Sequence, residues 1–176
     1  MCGVWRMSNY AYWIEMKGVE EAAFPSVTAW LQSSYGLETF ADVRSNVTYQ
    51  AQDVDLIAKD HEGNLFSVEV KIRQHNYSDI LVETYSNWEY GTTGNFFTSE
   101  ADLYAYVVYQ DGQLGPAYLL HFPSLREWFG KNRKRYRARY AANPPENPVF
   151  HSEFFCVPVE DIPLRCFIPK EEQDQT

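Results

Sequence analysis

Charged and apolar residues alternate through the segment Ser67-Val68-Glu69-Val70-Lys71-Ile72-Arg73. Successive side chains of a β-strand point to opposite faces of its sheet, so Glu69, Lys71 and Arg73 are predicted to share one face. The valines and the isoleucine are then predicted to face the core. The pattern therefore indicates a strand that holds a carboxylate and an ammonium group side by side.

The turn before this strand predicts a second carboxylate opposite the first. The run from Asp60 to Asn64 consists of turn-forming residues and favours a hairpin. A turn centred in this run places Asp55 opposite Glu69 and Asp53 opposite Lys71. A shift of one residue in the pairing would turn these side chains to the other face, so the prediction depends on the register.

Two opposed carboxylates indicate a site for a divalent cation. Like charges directly opposite each other destabilise a sheet, so Asp55 and Glu69 need a positive charge between them. Hard oxygen ligands favour Mg2+ or Mn2+, ions that keep several waters and contact substrate phosphates. Lys71 cannot be a ligand to such an ion. Its ammonium group can instead position an attacking water or stabilise charge that builds on a phosphate.

The residues alone leave an alternative open. In it these side chains are solvated hairpin charges, and Asp53 forms an ordinary cross-strand pair with Lys71. The pattern Glu-x-Lys is weak by itself, since Glu15-Met16-Lys17 also matches it inside a helical pattern.

A longer stretch gives a more specific pattern. The segment from Gln50 to Ile57, a turn, and the segment from Val68 to Lys71 together resemble the D...E-x-K core of the PD-(D/E)xK nuclease superfamily. In members with this pattern a glutamine precedes the metal-binding aspartate by a few residues, and apolar strand residues follow it. The resemblance implies Asp55 rather than Asp53 as the ligand. The chain departs from the family's name at the proline, where it has Val54.

Two later segments extend the resemblance to phage and bacterial members. Ile80 to Asn87 is similar to their carboxylate-bearing strand, and Gly94 to Leu103 is similar to a Thr-x-x-Ala-Asp step. The resemblance implies an α/β (α+β) fold with a restriction-endonuclease-like core, in which helices flank a mixed central sheet of about four or five strands. It also implies phosphodiester hydrolysis by Asp55, Glu69 and Lys71, with Mg2+ or Mn2+ at the two carboxylates.

Three further carboxylates are candidates for the same site. Glu83 lies in an otherwise apolar strand, where an inward charge is costly without a cation or a donor. The alternative is an outward position on a one-sided strand. Glu20 and Glu21, near the end of the first helical piece, are candidates to reach the metal centre as a helix carboxylate does in many relatives. Of these two, Glu21 joins Glu83 as a candidate catalytic residue.

Aromatic residues surround a glycine-containing loop after the predicted strand of Glu83. Trp88, Tyr90, Phe96 and Phe97 are able to stack unpaired bases. The alternative is that they belong to the core, as expected in a chain with 16% aromatic residues.

The charge of the chain is unevenly distributed. The net charge is -9, yet six of the nine residues from Lys131 to Arg139 are basic. An acidic protein does not attract DNA, so a local basic stripe is needed to contact its phosphates. The candidate nucleic-acid-binding residues are Lys131, Arg133, Lys134, Arg135, Arg137 and Arg139.

A basic helix is predicted from Pro123 to about Ala142, with Ser124 as its N-cap. At helical spacing Lys131, Arg135 and Arg139 follow one line of its surface and are expected to reach successive phosphates. The alternative is a solvated helix face, neutralised by acidic neighbours or by a partner protein.

The remaining pattern predicts the elements that hold these residues. The segment from Tyr10 to Ser34 is mainly helical and is predicted to divide at Gly18 and Pro25, with Gly36 ending the second piece. The predicted strands are Val43 to Tyr49, Asp53 to Lys59, Leu65 to Arg73, Ile80 to Tyr85, Leu103 to Gln110, Ala117 to Phe122 and Phe154 to Val159.

The length of 176 residues predicts a single nuclease domain over residues 1–176. Its core is expected over about residues 10–160, a rigid connector from Asn143 to Pro148, and a flexible tail over residues 168–176. No apolar stretch is long enough for a bilayer or a signal peptide, so we expect a cytoplasmic protein of a bacterial cell or phage host, without a membrane partner. Cys2, Cys156 and Cys166 are predicted to be free thiols.

No phosphate-binding, dinucleotide or nucleophile-elbow motif occurs in the chain, so no nucleotide cofactor is expected. The leading hypothesis is a Mg2+-dependent DNA endonuclease in phage or bacterial DNA processing, repair or restriction. Its partner would be duplex or branched DNA, and a homodimer would allow two strands to be cut. The competing hypothesis is a noncatalytic nucleic-acid-binding or assembly protein on the same fold.

Overall fold

The structure is a computed structural model, and it describes residues 9–142 and 150–170, with side-chain surroundings for residues 17–141 and 150–170. The predicted connector from Asn143 to Pro148, residues 171–176 of the predicted tail, and Cys2 lie outside the described residues. Cys156 and Cys166 are free thiols, as predicted. None of the helices within the described ranges combines the length and the apolar character that a membrane crossing requires.

The chain is a mixture of helices and strands. The helices are α1 (Asn9–Tyr35), α2 (Val47–Gln50), α3 (Asn95–Thr98) and α4 (Phe122–Asn132). The strands are β1 (Glu38–Asp42), β2 (Leu56–Lys59), β3 (Leu65–Arg73), β4 (Asp79–Asn87), β5 (Thr92–Thr93), β6 (Leu103–Gln110), β7 (Gln113–His121), β8 (Arg139–Ala142) and β9 (His151–Pro158).

Five strands form the central sheet, called sheet A here, in the order β1-β2-β3-β6-β7. Its neighbours are antiparallel except β3 and β6, which are parallel. The predicted mixed sheet of about four or five strands flanked by helices is therefore confirmed. Parallel neighbours need a long crossover, and here the crossover contains β4, β5 and α3.

A second sheet, called sheet B here, has the order β5-β4-β9-β8. One core fills the space between sheet A and α1, with Val27, Leu31 and Val68 fully buried. The other core lies between the two sheets and α4, and it contains Phe122 and Phe129. Sheet A thus contributes buried residues to a core on each of its faces.

Helix α1 is continuous, so the predicted division at Gly18 and Pro25 is wrong. A proline inside a helix removes one backbone donor and crowds the preceding turn. The buried stripe that includes Val27 and Leu31 offsets this cost. The helix ends before Gly36, whose φ of 63° is in the left-handed region, as predicted.

Two strands predicted in the first half of the chain differ from the observed elements. The segment predicted as a strand from Val43 to Tyr49 is a turn followed by α2, because the Asn46 side chain accepts a hydrogen bond from the Thr48 N–H and caps the helix. The strand predicted from Asp53 begins only at β2, because Asp53 has a φ of 50° and lies in a turn.

The predicted basic helix ends early. Helix α4 stops at Asn132, a short 3-10 helix covers Arg133–Arg135, and the chain is extended from Arg139 because β8 pairs with β9. Six like charges on one helix repel each other, whereas this path separates them. The N-cap of α4 is His121 rather than Ser124, and the Ser124 hydroxyl lies 2.7 Å from His121 Nδ1.

Candidate metal centre

The hairpin of β2 and β3 has the predicted register, with Leu56 opposite Val68 and Lys59 opposite Leu65. Asp55 lies directly before β2, and its backbone N–H donates to the Val68 carbonyl over 2.9 Å. Its carboxylate Oδ2 accepts a hydrogen bond of 2.8 Å from the Val70 N–H. These two bonds fix the Asp55 side chain against β3, next to Glu69.

The carboxyl groups of Asp55 and Glu69 lie within hydrogen-bonding distance of each other. Glu69 is only 7% exposed. Burial raises the pKa of Glu69 well above its usual value, and the charge of Asp55 raises it further, while Lys71 acts in the opposite direction. Burial also raises the pKa of Asp55, against the hydrogen bond from Val70.

Both carboxylates line an open cavity of about 510 Å³ that is also lined by Lys17 of α1. Glu20 and Glu21 line the same cavity, as the sequence suggested. Their surroundings differ, because Glu21 forms an ion pair of 3.2 Å with Arg44, whereas the charge of Glu20 raises the pKa of Asp55. Glu20 is thus the helix carboxylate that acts on the pair, and Glu21 is neutralised.

Arg44 is held in place at the rim of the cavity. Its guanidinium also pairs with Asp42 over 2.8 Å and lies 3.6 Å from the centroid of the Phe24 ring. Asp53 lines the cavity as well, and its carboxylate accepts a 3.0 Å hydrogen bond from the Thr98 hydroxyl. The predicted cross-strand partnership of Asp53 and Lys71 is therefore wrong, since Asp53 lies in a turn rather than in a strand.

Asn95 is a contact of the site that the sequence reasoning missed. Its side-chain amide donates to Glu69 Oε1 over 3.3 Å. The contact depends on Gly94, because a Cβ built there would lie 2.6 Å from the carbonyl oxygen of Glu83. The signal in the sequence was the glycine-asparagine pair at the start of the short helix α3.

Glu83 lies on β4, next to Gly94. It is half-buried and faces away from Val82 and Thr84, the buried neighbours on its strand. It does not line the cavity of Asp55 and Glu69. Burial is the largest cause that raises the pKa of Tyr104, and the charges of Glu69 and Glu83 raise it further.

The two cations of β3 have different surroundings. The charge of Lys71 acts on Glu69. Arg73 donates to the Tyr106 hydroxyl over 2.9 Å and lies 3.9 Å from Asp79, so it joins β3 to β6 and β4. Lys71 is the cation of this strand that accompanies the carboxylate pair.

Within the described residues, no group of three or more His, Cys, Asp or Glu side chains is arranged to hold a metal. A closed structural zinc site needs four such ligands. Mg2+ is commonly bound by one or two carboxylates, several waters and a substrate phosphate. The donor set of Asp55 and Glu69 fits the second kind of site.

The basic segment from Lys131 to Arg139 does not form one line on a helix. Arg133 pairs with Glu153, Lys131 pairs with Glu127, and Arg135 lies 4.0 Å from Asp161. Arg139 is exposed and lines a second cavity together with Asp79 and Cys156. Lys134 and Arg137 are exposed. The predicted row of Lys131, Arg135 and Arg139 is therefore wrong, because β8 replaces the end of the helix.

Glu153 is a buried acid that the sequence did not single out. It is 2% exposed, and its carboxylate accepts hydrogen bonds from Thr84 (2.6 Å), Tyr140 (2.9 Å) and Arg133. Its charge is thus compensated by groups of the chain itself.

No family model matches this chain, and a search of curated proteins finds no match either. The carboxylate pair, its neighbours and its cavity are therefore the basis for assigning a function.

Proposed function

We propose that the chain is a metal-dependent nuclease of the PD-(D/E)xK type that hydrolyses phosphodiester bonds of DNA. The observation that carries this proposal is the pair of Asp55 and Glu69, two carboxyl groups in hydrogen-bonding contact, with Lys71 as the neighbouring cation on the same strand. A sheet has no structural use for opposed acids, so the pair needs a positive charge from outside the chain.

Asp55 and Glu69 are the residues that would hold Mg2+ or Mn2+. A divalent cation bound there supplies a Lewis acid for a phosphoryl oxygen and lowers the pKa of a bound water. The Val70 N–H orients Asp55, and the Asn95 amide contacts Glu69. Glu20 adds negative charge to the cavity wall and strengthens its attraction for cations.

Lys71 is assigned to the reacting groups. An ammonium group is no ligand for a hard cation, but it stabilises negative charge that develops on a phosphate and orients an attacking water. Its side chain shares a strand face with Glu69, two residues away, which places it at about 7 Å along the strand. The cavity beside the pair leaves space for a phosphate and its waters.

The substrate and setting follow the same proposal. We place the enzyme in the cytoplasm of a bacterial cell or phage host, as an endonuclease of DNA processing, repair or restriction. Each chain has one such centre within the described residues, so cutting both strands of a duplex would favour a twofold dimer.

Nicking of a supercoiled plasmid tests this function. We expect nicked product with Mg2+ or Mn2+ and none with EDTA. Asp55→Asn and Glu69→Gln should remove the activity, while Glu62→Gln, an exposed acid in the same hairpin, should retain it. Nicking by Glu69→Gln at the wild-type rate would reject the assignment. Binding of DNA without cleavage under all these conditions would favour a noncatalytic binding protein instead.

A further inference from the structure

Exposed aromatic side chains gather at one end of sheet B. Trp88, Tyr90 and Tyr140, called the aromatic edge here, are 45%, 72% and 50% exposed. Trp88 lies 5.5 Å from Tyr140 and 5.1 Å from Tyr85 between ring centroids, and Tyr90 lies 5.2 Å from Phe150. Large exposed aromatic residues leave apolar surface in contact with water, so a group of them indicates a binding surface.

The structure separates these residues from the other aromatic candidates of the loop. Phe96 is 2% exposed and packs against Phe122 and Phe129 in the core between the sheets. Phe97 packs on Phe96. The core interpretation therefore holds for Phe96, whereas Phe97 (39% exposed), Trp88 and Tyr90 are exposed.

Positive charge accompanies the aromatic edge. Tyr140 belongs to β8, the edge strand that the basic segment enters, and Arg139 precedes it. Lys134 and Arg137 are exposed on the same segment. Among the described acids near the edge, Glu153 accepts hydrogen bonds from Arg133 and Tyr140, and Glu89 pairs with His151. The surface thus combines aromatic rings with the exposed side chains of Lys134 and Arg137 in a chain of net charge -9.

The aromatic edge is also connected to the candidate metal centre. Tyr85, which contacts Trp88, lies two residues after Glu83 on β4. The backbone of Glu83 packs against Gly94, and the next residue, Asn95, donates to Glu69. The aromatic edge is therefore linked to Glu69 through β4, Gly94 and Asn95.

We infer that the aromatic edge and the exposed cations Lys134 and Arg137 bind an unpaired strand of the DNA substrate. This inference rests on the proposed nuclease function and specifies its substrate as DNA with a single-stranded segment. Base faces are available for stacking only when the bases are unpaired, and every base has such a face. The cations contact the phosphates between stacked bases. A duplex presents phosphates but hides its base faces, so it would leave the rings unused.

Binding measured without cleavage tests this inference. The probe is a fluorescein-labelled oligothymidylate of about 20 nucleotides, a length that exceeds the roughly 4–16 nucleotides of a typical single-strand site. Fluorescence anisotropy is read in EDTA, beside a duplex of equal length. Trp88→Ala and Tyr90→Ala should each weaken single-strand binding by about 5-fold to 150-fold and change duplex binding little. Phe40→Ala is the matched control, since Phe40 is 61% exposed on β1 of the other sheet.

The contribution of the positive charges to DNA binding is measured separately, by the salt dependence of affinity. Lys134→Ala combined with Arg137→Ala should flatten the log-log salt dependence of single-strand binding by about 1.4, from roughly 0.7 for each phosphate contact. Thermal melting of every variant verifies folding, and Tyr90→Ala, which removes the most exposed ring, serves as the main variant if Trp88→Ala melts early.

Several results would overturn the inference. They are wild-type affinity in Tyr90→Ala, an equal loss in Phe40→Ala, tighter binding of duplex than of single strand, tighter binding of RNA of the same length, or a changed oligomeric state in place of changed DNA affinity. Because the assay contains no metal, it is independent of catalysis. Single-strand binding without plasmid nicking would reject the nuclease function and retain the binding surface. Plasmid nicking, together with wild-type DNA affinity in the Trp88 and Tyr90 variants, would retain the nuclease function and reject the binding surface.

Discussion

Glu69 and Glu153 are both buried acids, and they differ in what the chain places around them. Glu153 receives the guanidinium of Arg133 and the hydroxyls of Thr84 and Tyr140. Glu69 receives a second carboxyl group, from Asp55, and one amide. The chain therefore completes the charge balance of Glu153 by itself, and under the proposed function an external cation completes that of Glu69. Burial alone does not distinguish a functional carboxylate, whereas an uncompensated charge does.

Removal of Arg133 gives the largest expected change in stability. Arg133→Met leaves Glu153 buried without its cation, and breaking a buried pair in this way costs about 3–5 kcal/mol. Urea denaturation measures the free energy of unfolding. Arg137→Met, at an exposed position of the same segment, is the matched control and should change stability by less than about 0.5 kcal/mol. Equal stability of the two variants would mean that Glu153 does not depend on its cation.

Substitution of Lys71, the cation next to Asp55 and Glu69, should affect the cleavage rate rather than the stability. Lys71→Ala is expected to lower the rate of cleavage by about 100-fold to 1000-fold, because the ammonium group acts on developing charge. Folding stability and Mn2+ affinity should change little. Lys71→Arg should not restore the rate, since a guanidinium has a different geometry and does not release a proton near neutral pH. Single-turnover kinetics measures the chemical step, and near-normal turnover of Lys71→Arg would show that only positive charge is needed.

The close approach of α3 to β4 is a smaller test of how the pair is positioned. Gly94→Ala forces a Cβ to within 2.6 Å of the Glu83 carbonyl oxygen and should cost about 1–3 kcal/mol. Cleavage should fall as well, because Asn95 moves away from Glu69. Gly130→Ala is the matched control, since a Cβ there meets no atom within 4 Å and should stabilise α4 by about 0.5–1 kcal/mol. Wild-type stability in Gly94→Ala would contradict the close approach.

The dependence of stability on pH gives the smallest expected effect. The pKa of Glu69 is raised in the folded protein, so the folded state keeps its proton at pH values where the unfolded chain loses it. Metal-free stability contributed by this group therefore falls as pH rises above the usual glutamate pKa of 4.5 toward the raised value. Glu69→Gln should remove this decline and be at least as stable as the wild type near neutral pH. Parallel curves for the two proteins in EDTA would contradict the assigned shift.

Local sequence was sufficient for the hairpin that carries the site. The turn residues from Asp60 to Asn64 and the alternation of β3 fix the register, and both are signals within a few residues of each other. Glu69 and Asp55 were predicted as neighbours for this reason. The raised pKa of both carboxyl groups depends on burial, which a hairpin alone does not provide.

The second sheet shows where local signals fail. The segment from Lys131 to Arg139 has helical propensity, but its end pairs with β9 and forms β8. Glu153, the partner of Arg133, lies 20 residues further along the chain. Neither β8 nor this ion pair therefore has a signature in neighbouring residues. Asp53 was misplaced for a related reason, because its left-handed φ depends on the turn that follows α2.

Calorimetric titration with Mn2+ tests the central claim most directly, since it asks whether the uncompensated pair is a cation site. The wild type should bind Mn2+ near neutral pH and release protons on binding, because the raised pKa values of Asp55 and Glu69 favour their protonated forms and a cation favours their carboxylates. Titrations in buffers of different ionisation enthalpy count those protons. Asp55→Asn and Glu69→Gln should lose this binding, and Glu62→Gln should keep it. Mn2+ binding by Glu69→Gln with wild-type affinity and proton release would contradict the account.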